Sequence, residues 1–174
     1  NRRLAGTERL AWAVDLNTKR GDRRPGNRPE VYAEQVVWFL DHPKEDLILQ
    51  AVRIGDLAIT AIPNEVYGIT GLKLKAQSPF KTTFNMELAN GAAGYIPPPE
   101  QHYLGGYTTW PARTAGLEPN AEPRIVDTLL GLLEQLSGQK RKPLSTDFYN
   151  DQQREAIEKA KADDNNRANR GLEY

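Results

Sequence analysis

The sequence predicts a mixed α/β fold, because β-branched runs joined by a tight turn alternate with amphipathic helical segments. Residues 47–54 and 57–62 are rich in Ile, Leu and Val, and only Gly55-Asp56 separates them. A two-residue Gly-Asp connection favours an antiparallel hairpin with a primed turn. Residues 123–137 carry a wide apolar stripe with helical spacing. The predicted architecture is therefore a mixed β-sheet that contains this hairpin and is flanked by helices.

The first forty residues predict one helix and one ambiguous segment. Residues 7–20 read as a helix that ends before Gly21, with one face formed by Leu10, Ala13, Val14 and Asn17. Residues 21–29 contain two prolines and two glycines and predict a loop. Residues 31–40 are apolar and fit either element, although Val36 to Phe39 favour a strand at the end.

The middle of the chain predicts a helix, a strand and a long irregular connection. Asn64 is a good N-cap for a helix over residues 65–77, whose apolar side would be Val66, Ile69, Leu72 and Ala76. Residues 83–88 alternate as a strand does, and residues 89–122 are rich in Gly, Pro and Tyr. A connection this long inside a domain is usually functional.

The composition changes near residue 139. The helix over residues 123–137 is predicted to end at Gly138, and large apolar residues are few beyond it. Residues 151–162 favour an exposed helix, and the rest is typical of a linker. We therefore predict a domain over residues 1–138 and a polar tail or linker over residues 139–174.

Composition excludes several classes of function. The 174 residues carry 23 Lys+Arg and 23 Asp+Glu, which argues against a broadly basic surface for nucleic acid. The absence of cysteine excludes disulfides, thiolate nucleophiles and cysteine-based zinc sites. No apolar run approaches the roughly 20 residues of a membrane-spanning helix, so we expect no transmembrane segment.

Few residues are candidates for chemistry. The chain has two histidines, His42 in a turn and His102 in the aromatic-rich connection, and no HExxH, P-loop or GxSxG motif. Glu65 follows a predicted strand and opens a predicted helix. Its carboxylate would either point into a cleft at the strand end, as a functional residue does, or only complement the helix dipole. The segment 87–110 combines Gly91 and Gly94, which permit close backbone approach, with several tyrosines. It reads either as a pocket wall or as a packed Ω-loop.

Two stretches together resemble the neutral/alkaline non-lysosomal ceramidase family. The first is IGDLAITAIPNEVYGITGLKLKAQSP, and the second is LANGAAGYIPPPEQHYLGGYTTWPARTAG. The family's strand–Pro–x–Glu turn matches Pro63 and Glu65, and its Asn and two Tyr positions match Asn90, Tyr95 and Tyr107. The likeness extends over roughly residues 45–137 and is closest to ceramidase-like proteins of environmental bacteria. The order and spacing of these motifs together, more than any one of them, carry the resemblance.

The resemblance implies a zinc amidohydrolase of sphingolipid metabolism, in which two histidines, a glutamate and a tyrosine hold the metal. It implies that Glu65 and Tyr95 are metal ligands and that Tyr107 lies over the reacting amide. It also places His102, Tyr103 and Trp110 at the substrate entrance. Ceramidases continue the second tyrosine with Glu-Gly-Ala-Ser, whereas Thr108-Thr109-Trp110 follows here. The substrate is therefore expected to be an amide-containing lipid or another N-acyl compound, without being fixed as ceramide.

The histidine ligands of the family belong to its N-terminal part, which nothing in this sequence matches. The resemblance therefore implies a C-terminal fragment that works with the N-terminal half of the same catalytic domain, secreted or periplasmic in location. On this hypothesis the intact protein is a zinc enzyme, and the isolated chain is inactive and binds zinc weakly or not at all.

Two alternative hypotheses remain at the level of sequence. In the first, the chain is a non-catalytic binding module whose Tyr/Trp-lined loop holds a sugar or a lipid. In the second, the loop only packs against the core of a structural or interaction domain.

Overall fold

The computed structural model describes residues 1–145 and 147–168, and within them the predicted mixed α/β class is confirmed. The helices are α1 (Thr7–Arg20), α2 (Arg28–Asp41), α3 (Gly68–Gln77), α4 (Pro99–Leu104), α5 (Ala121–Ser137) and α6 (Asp151–Ala168). The strands are β1 (Gln50–Ile54), β2 (Leu57–Ala61), β3 (Glu65–Val66), β4 (Thr82–Met86) and β5 (Tyr95–Ile96). Two short 3-10 helices span Tyr107–Thr109 and Arg113–Ala115.

Two small sheets organise the fold. The larger has the order β1-β2-β4, in which β1 is antiparallel to β2 across Gly55-Asp56 and β2 is parallel to β4. The smaller is the parallel pair β3-β5. Helix α5 packs on the larger sheet through an apolar stripe that contributes Leu129, Leu130 and Leu133 to the main core. Gly138 then ends the helix in the left-handed conformation, as its position in the sequence predicts.

The other face of the larger sheet is apolar and exposed. The strand register aligns Val52 with Ile59 and Ile59 with Phe84, so these side chains share one face. On that face Val52 is 49% exposed and Ile54 is 61% exposed. The buried face is formed instead by small or polar side chains such as Ala58 and Thr60. Period-2 alternation therefore identifies the two faces of the strand, but not which of them is covered.

The suggested strand at Val36 to Phe39 is wrong, because α2 runs through to Asp41. Asn27 caps this helix by accepting a hydrogen bond from the backbone N–H of Glu30, and Pro29 lies in the first turn. Ala33 and Val36 bury one helical face against α1. Tertiary packing therefore overrides the β-propensity of this segment.

The helix predicted over residues 65–77 begins only at Gly68, and Asn64 is not its N-cap. Residues 65 and 66 form β3 instead, and Asn64 is fully buried and donates a hydrogen bond to the carbonyl of Ala93 at 2.7 Å. The predicted apolar face is also wrong: Thr70 and Leu74 are buried, whereas Leu72 is exposed. A side-chain bond to a distant loop has replaced the local cap.

Two further segments are more ordered than their sequence indicates. The stretch 89–122 holds β5, α4 and both 3-10 helices, although its glycines and prolines favour an irregular connection. Helix α6 continues beyond residue 162 to Ala168. It packs against α4, and its residue Ile157 is buried. Residues 169–174 of the predicted tail lie outside the described residues. Within the described part of the chain, every helix is too short or too polar to span a bilayer.

We expect Glu30 to make the stability of the fold sensitive to acid. A hydrogen bond from Arg23, then one from the backbone N–H of Gly26, lowers the pKa of Glu30 to about 2 from an ordinary 4.5. Because the folded state holds Glu30 ionised, the carboxylate stabilises the fold above about pH 4.5, and this stabilisation is lost as pH falls towards 2. Between pH 6 and pH 3, the Tm of the wild-type chain should therefore fall further than that of Glu30→Gln, measured by circular dichroism. Glu8→Gln, which removes an exposed acid from α1, should follow the wild type; equal losses in all three would contradict the assignment.

Candidate active site

The smaller sheet brings the two predicted metal ligands together. Strands β3 and β5 are parallel, and Glu65 is paired directly with Tyr95. The backbone N–H of Glu65 donates to the carbonyl of Gly94 at 3.0 Å, which fixes this register. Two residues separated by thirty positions in the sequence are thus held as immediate neighbours on one small sheet.

Glycine is needed where this register is set, and the predicted close backbone approach is confirmed. Gly94 has a φ of +77°, and a Cβ on it would clash with the backbone oxygen of Thr114 and lie 2.7 Å from its carbonyl carbon. A Cβ on Gly91 would lie 3.0 Å from the Cβ of Pro63. At Gly94 the backbone therefore packs more closely against Thr114 than any residue with a side chain would allow, whereas at Gly91 the contact with Pro63 is tight.

Asn64 anchors the same loop from the side of β3. The side-chain amide of Asn64 donates to the Ala93 carbonyl, and its backbone carbonyl accepts from the N–H of Leu88 at 3.1 Å. The Pro63 carbonyl accepts from the N–H of Ala93 at 2.7 Å. Both ends of the loop are therefore bonded to the Pro63-Asn64 turn, directly before Glu65.

Tyr107 completes the group. Its ring meets that of Tyr95 edge-on, with centroids 5.4 Å apart and an interplanar angle of 89°. The next residue, Thr108, shares a 2.7 Å hydrogen bond between its hydroxyl and that of Tyr67, which ties the 3-10 helix to the start of α3. Tyr107 itself is 64% exposed, so much of the residue faces solvent.

Glu65, Tyr95 and Tyr107 line one open cavity of about 360 Å³, which we call the acidic cavity. Its other polar side chains are Tyr67, Glu87, Gln101 and Thr108, and none of the described lining residues is cationic. The pKa of Tyr95 is raised, first by its hydrogen bond with Tyr107 and then by the negative charge of Glu65. Two carboxylates beside two phenols form a set of oxygen donors that favours a cation.

Glu87 also lines the acidic cavity, and sequence reasoning did not single it out. Its carboxylate accepts a hydrogen bond at 2.9 Å from the backbone N–H of Val66, the residue that follows Glu65. The sequence feature that could have identified Glu87 as a site residue is its position in the ELANG segment, three residues before Asn90. Among the described residues, no three or more His, Asp or Glu side chains form a metal-binding cluster.

The three residues predicted at the substrate entrance lie together in a second cavity of about 600 Å³, which we call the aromatic cavity. His102, Tyr103 and Trp110 line it together with Tyr32, whose ring meets Trp110 edge-on at 6.0 Å. Burial, and then the charge of Arg3, lowers the pKa of His102 to about 4, so its imidazole is neutral at pH 7. Gly105 lines both cavities, so the two adjoin at the end of α4.

His42 lies apart from both cavities. Its Nδ1 is 2.9 Å from the carbonyl of Trp38, and its ring stacks on that indole at 3.9 Å. His42 therefore closes the end of α2, in keeping with the structural role that its turn position indicates.

Comparison with protein-family models, with curated proteins and with solved structures finds no match to this chain.

Proposed function

We propose that this chain is part of a zinc-dependent amidohydrolase that cleaves an N-acyl amide bond, and that Glu65 and Tyr95 are its contribution to the metal site. The observation that carries the proposal is the direct pairing of Glu65 with Tyr95 at the edge of an acidic cavity. The family resemblance assigns ligand roles to the same two residues. Local geometry and sequence likeness thus favour the same pair.

The donor set fits a divalent cation. Tyr95 holds its proton more firmly than a free phenol because of Tyr107 and Glu65. Ionising even an ordinary tyrosine at pH 7 costs about 4 kcal/mol, and a nearby dication offsets such a cost. Glu65 and Tyr95 would hold the zinc, which when bound polarises an amide carbonyl and lowers the pKa of water.

The remaining steps fall to side chains of this chain. Tyr107, which is exposed, would donate a hydrogen bond to the oxygen that gains charge as the amide is attacked, an effect worth about 3 kcal/mol. The aromatic cavity would hold another part of the substrate through His102 and Tyr103 of α4 and through Trp110. Gly105 lines both cavities, and on this proposal the substrate would extend from one to the other beside it.

The two histidine ligands are proposed to come from the N-terminal half of the same catalytic domain, in a secreted or periplasmic protein. The exposed apolar face of the larger sheet supports a further layer, because parallel strand pairs such as β2-β4 are normally covered on both faces. On this proposal the chain alone is inactive towards N-acyl substrates.

Zinc titration of the 174-residue chain tests the proposal without requiring activity. Two of four ligands should supply about half of the 10–16 kcal/mol of a complete site, which corresponds to a Kd between about 1 μM and 0.2 mM. Binding should produce the ultraviolet difference spectrum of tyrosinate. Glu65→Gln and Tyr95→Phe should each abolish it.

Matched controls make the titration specific. Tyr103→Phe and Glu8→Gln alter the same residue types outside the acidic cavity and should leave the spectrum unchanged. Nanomolar zinc affinity, hydrolysis of an N-acyl substrate by the chain alone, or a tyrosinate signal that survives Tyr95→Phe would each contradict the proposal.

The second candidate function is a ligand-binding module without catalysis. It is favoured by the size of the aromatic cavity, about 600 Å³, and by the Trp110, Tyr32 and Tyr103 side chains that line it. A cavity of this volume accommodates a small organic ligand. Ligand binding there together with no zinc-induced tyrosinate signal would favour this alternative.

A further inference from the structure

Three arginines from different segments converge on the aromatic cavity. Arg3 precedes α1, Arg9 lies in its first turns, and Arg28 begins α2. No carboxylate among the described side chains forms an ion pair with any of the three. Seven other arginines do form such pairs, namely Arg2, Arg20, Arg23, Arg113, Arg124, Arg141 and Arg154. Five described arginine side chains lie outside such pairs, and three of them, Arg3, Arg9 and Arg28, line this cavity, whereas Arg24 and Arg53 do not. Arg3 donates a hydrogen bond to the Thr109 carbonyl at 3.4 Å.

Two nitrogen atoms at this cavity are buried without a hydrogen-bond partner in the described structure. They are Nε of Arg9 and Nδ1 of His102. Arg9 packs over the Trp12 ring at 3.9 Å, and burial lowers its pKa. A partly buried cation whose Nε has no acceptor is unfavourable, and a bound oxyanion would provide both a charge and hydrogen-bond acceptors for the guanidinium.

The rest of the wall suits an apolar body. Trp110 and Tyr32 present aromatic rings, and the guanidinium of Arg28 lies 5.9 Å from the Trp110 ring centroid. Asp163 and Asp164 of α6 also line the cavity without pairing with its arginines. Their two negative charges against three positive ones favour a ligand of low charge over a polyanion.

We infer that the aromatic cavity binds a small organic anion, whose carboxylate or phosphate lies among Arg3, Arg9 and Arg28 and whose apolar body packs on Trp110 and Tyr32. The inference rests on the proposed function in one respect, since it names the substrate class as N-acyl compounds that carry an acidic group. Its test requires neither zinc nor turnover. The anion-binding inference can therefore be wrong while the proposed metal site is correct, and the metal site can be wrong while the inference is correct.

The test uses benzoate and phenyl phosphate as anionic probes and benzyl alcohol as their neutral counterpart. The two histidines provide the readout, because His102 lines the cavity and His42 lies apart from it. Titration followed by NMR should shift the imidazole signals of His102, leave those of His42 in place, and give a Kd of millimolar or tighter for at least one anion. The stronger of the two anions then identifies the preferred acidic group.

Arginine variants decide whether charge is the cause. Arg9→Gln and Arg28→Gln should each weaken binding about tenfold. Arg24→Gln removes an exposed arginine of the neighbouring loop that does not line the cavity, and it should bind like the wild type. Because Arg28 is exposed at a helix start, its variant remains informative if Arg9→Gln fails to fold. Equal binding of benzyl alcohol, equal weakening in Arg24→Gln, or no His102 shift with either anion would overturn the inference.

Discussion

Replacing Lys73 with methionine is expected to lower the free energy of unfolding by about 3–5 kcal/mol. The Lys73 ammonium lies 3.1 Å from the carboxylate of Glu122, which is only 1% exposed, and 3.7 Å from Glu100. Without Lys73, the buried Glu122 charge would keep only the hydrogen bond from Thr70 at 2.9 Å. The loss is large because a buried charge is left without its counterion, and urea unfolding monitored by circular dichroism measures it.

Two variants separate this effect from a general loss of charge on α3. Lys75→Met changes an exposed lysine of the same helix and should alter stability by less than about 0.5 kcal/mol. The double variant Lys73→Met/Glu122→Leu should recover most of the loss, because it removes both charges. If the double variant is as unstable as Lys73→Met alone, the unpaired charge is not the cause.

The same network connects the tail to the domain. Tyr149 donates a hydrogen bond to Glu100, and burial together with that carboxylate raises the pKa of Tyr149. Burial alone would raise the pKa of Glu100, but the bond from Tyr149 and the charge of Lys73 lower it. The residues after 139 therefore contribute to packing around α4, which their polar composition does not indicate.

Gly94→Ala is expected to damage both stability and the site. The new methyl group would clash with the Thr114 carbonyl, lying 2.7 Å from its carbon, and the backbone has a φ of +77°. A left-handed residue alone costs about 1–2 kcal/mol, so with the backbone clash we expect a loss of at least about 3 kcal/mol. The carbonyl of Gly94 accepts the N–H of Glu65, so its displacement should also separate Glu65 from Tyr95 and abolish the zinc-induced tyrosinate signal.

Gly138→Ala is the matched control for Gly94. Gly138 has a φ of +71° in the left-handed region, and a methyl group added there would have no neighbour within 4 Å, so the variant isolates the conformational cost from the clash. We expect it to lose only about 1 kcal/mol and to keep the tyrosinate signal. Equal losses at the two glycines, measured by urea unfolding, would show that the close approach to Thr114 does not govern the site.

Patterns that arise within one element were predictable from the sequence. The helix over residues 7–20 matches α1, and Gly138 ends the apolar helix α5 as predicted. These features depend on spacing along the chain and on the conformational freedom of single residues. The mixed α/β class follows from the order of such elements.

Features set by distant contacts were not predictable in the same way. Asn64 reads as a cap because nothing local shows that its amide binds Ala93, 29 positions away. Val36 reads as a strand residue because its partner Ala13 lies on another helix. Glu87 and the three arginines of the aromatic cavity have no shared motif, since separate segments bring them to their cavities.

The most direct test of the metal site is the position of zinc itself. Crystals of the 174-residue chain soaked in millimolar zinc should show an anomalous peak within about 2.0–2.2 Å of a Glu65 carboxylate oxygen, with the Tyr95 phenolic oxygen as a second ligand. Zinc bound by only one of these side chains, or bound elsewhere while the acidic cavity stays empty, would contradict the account.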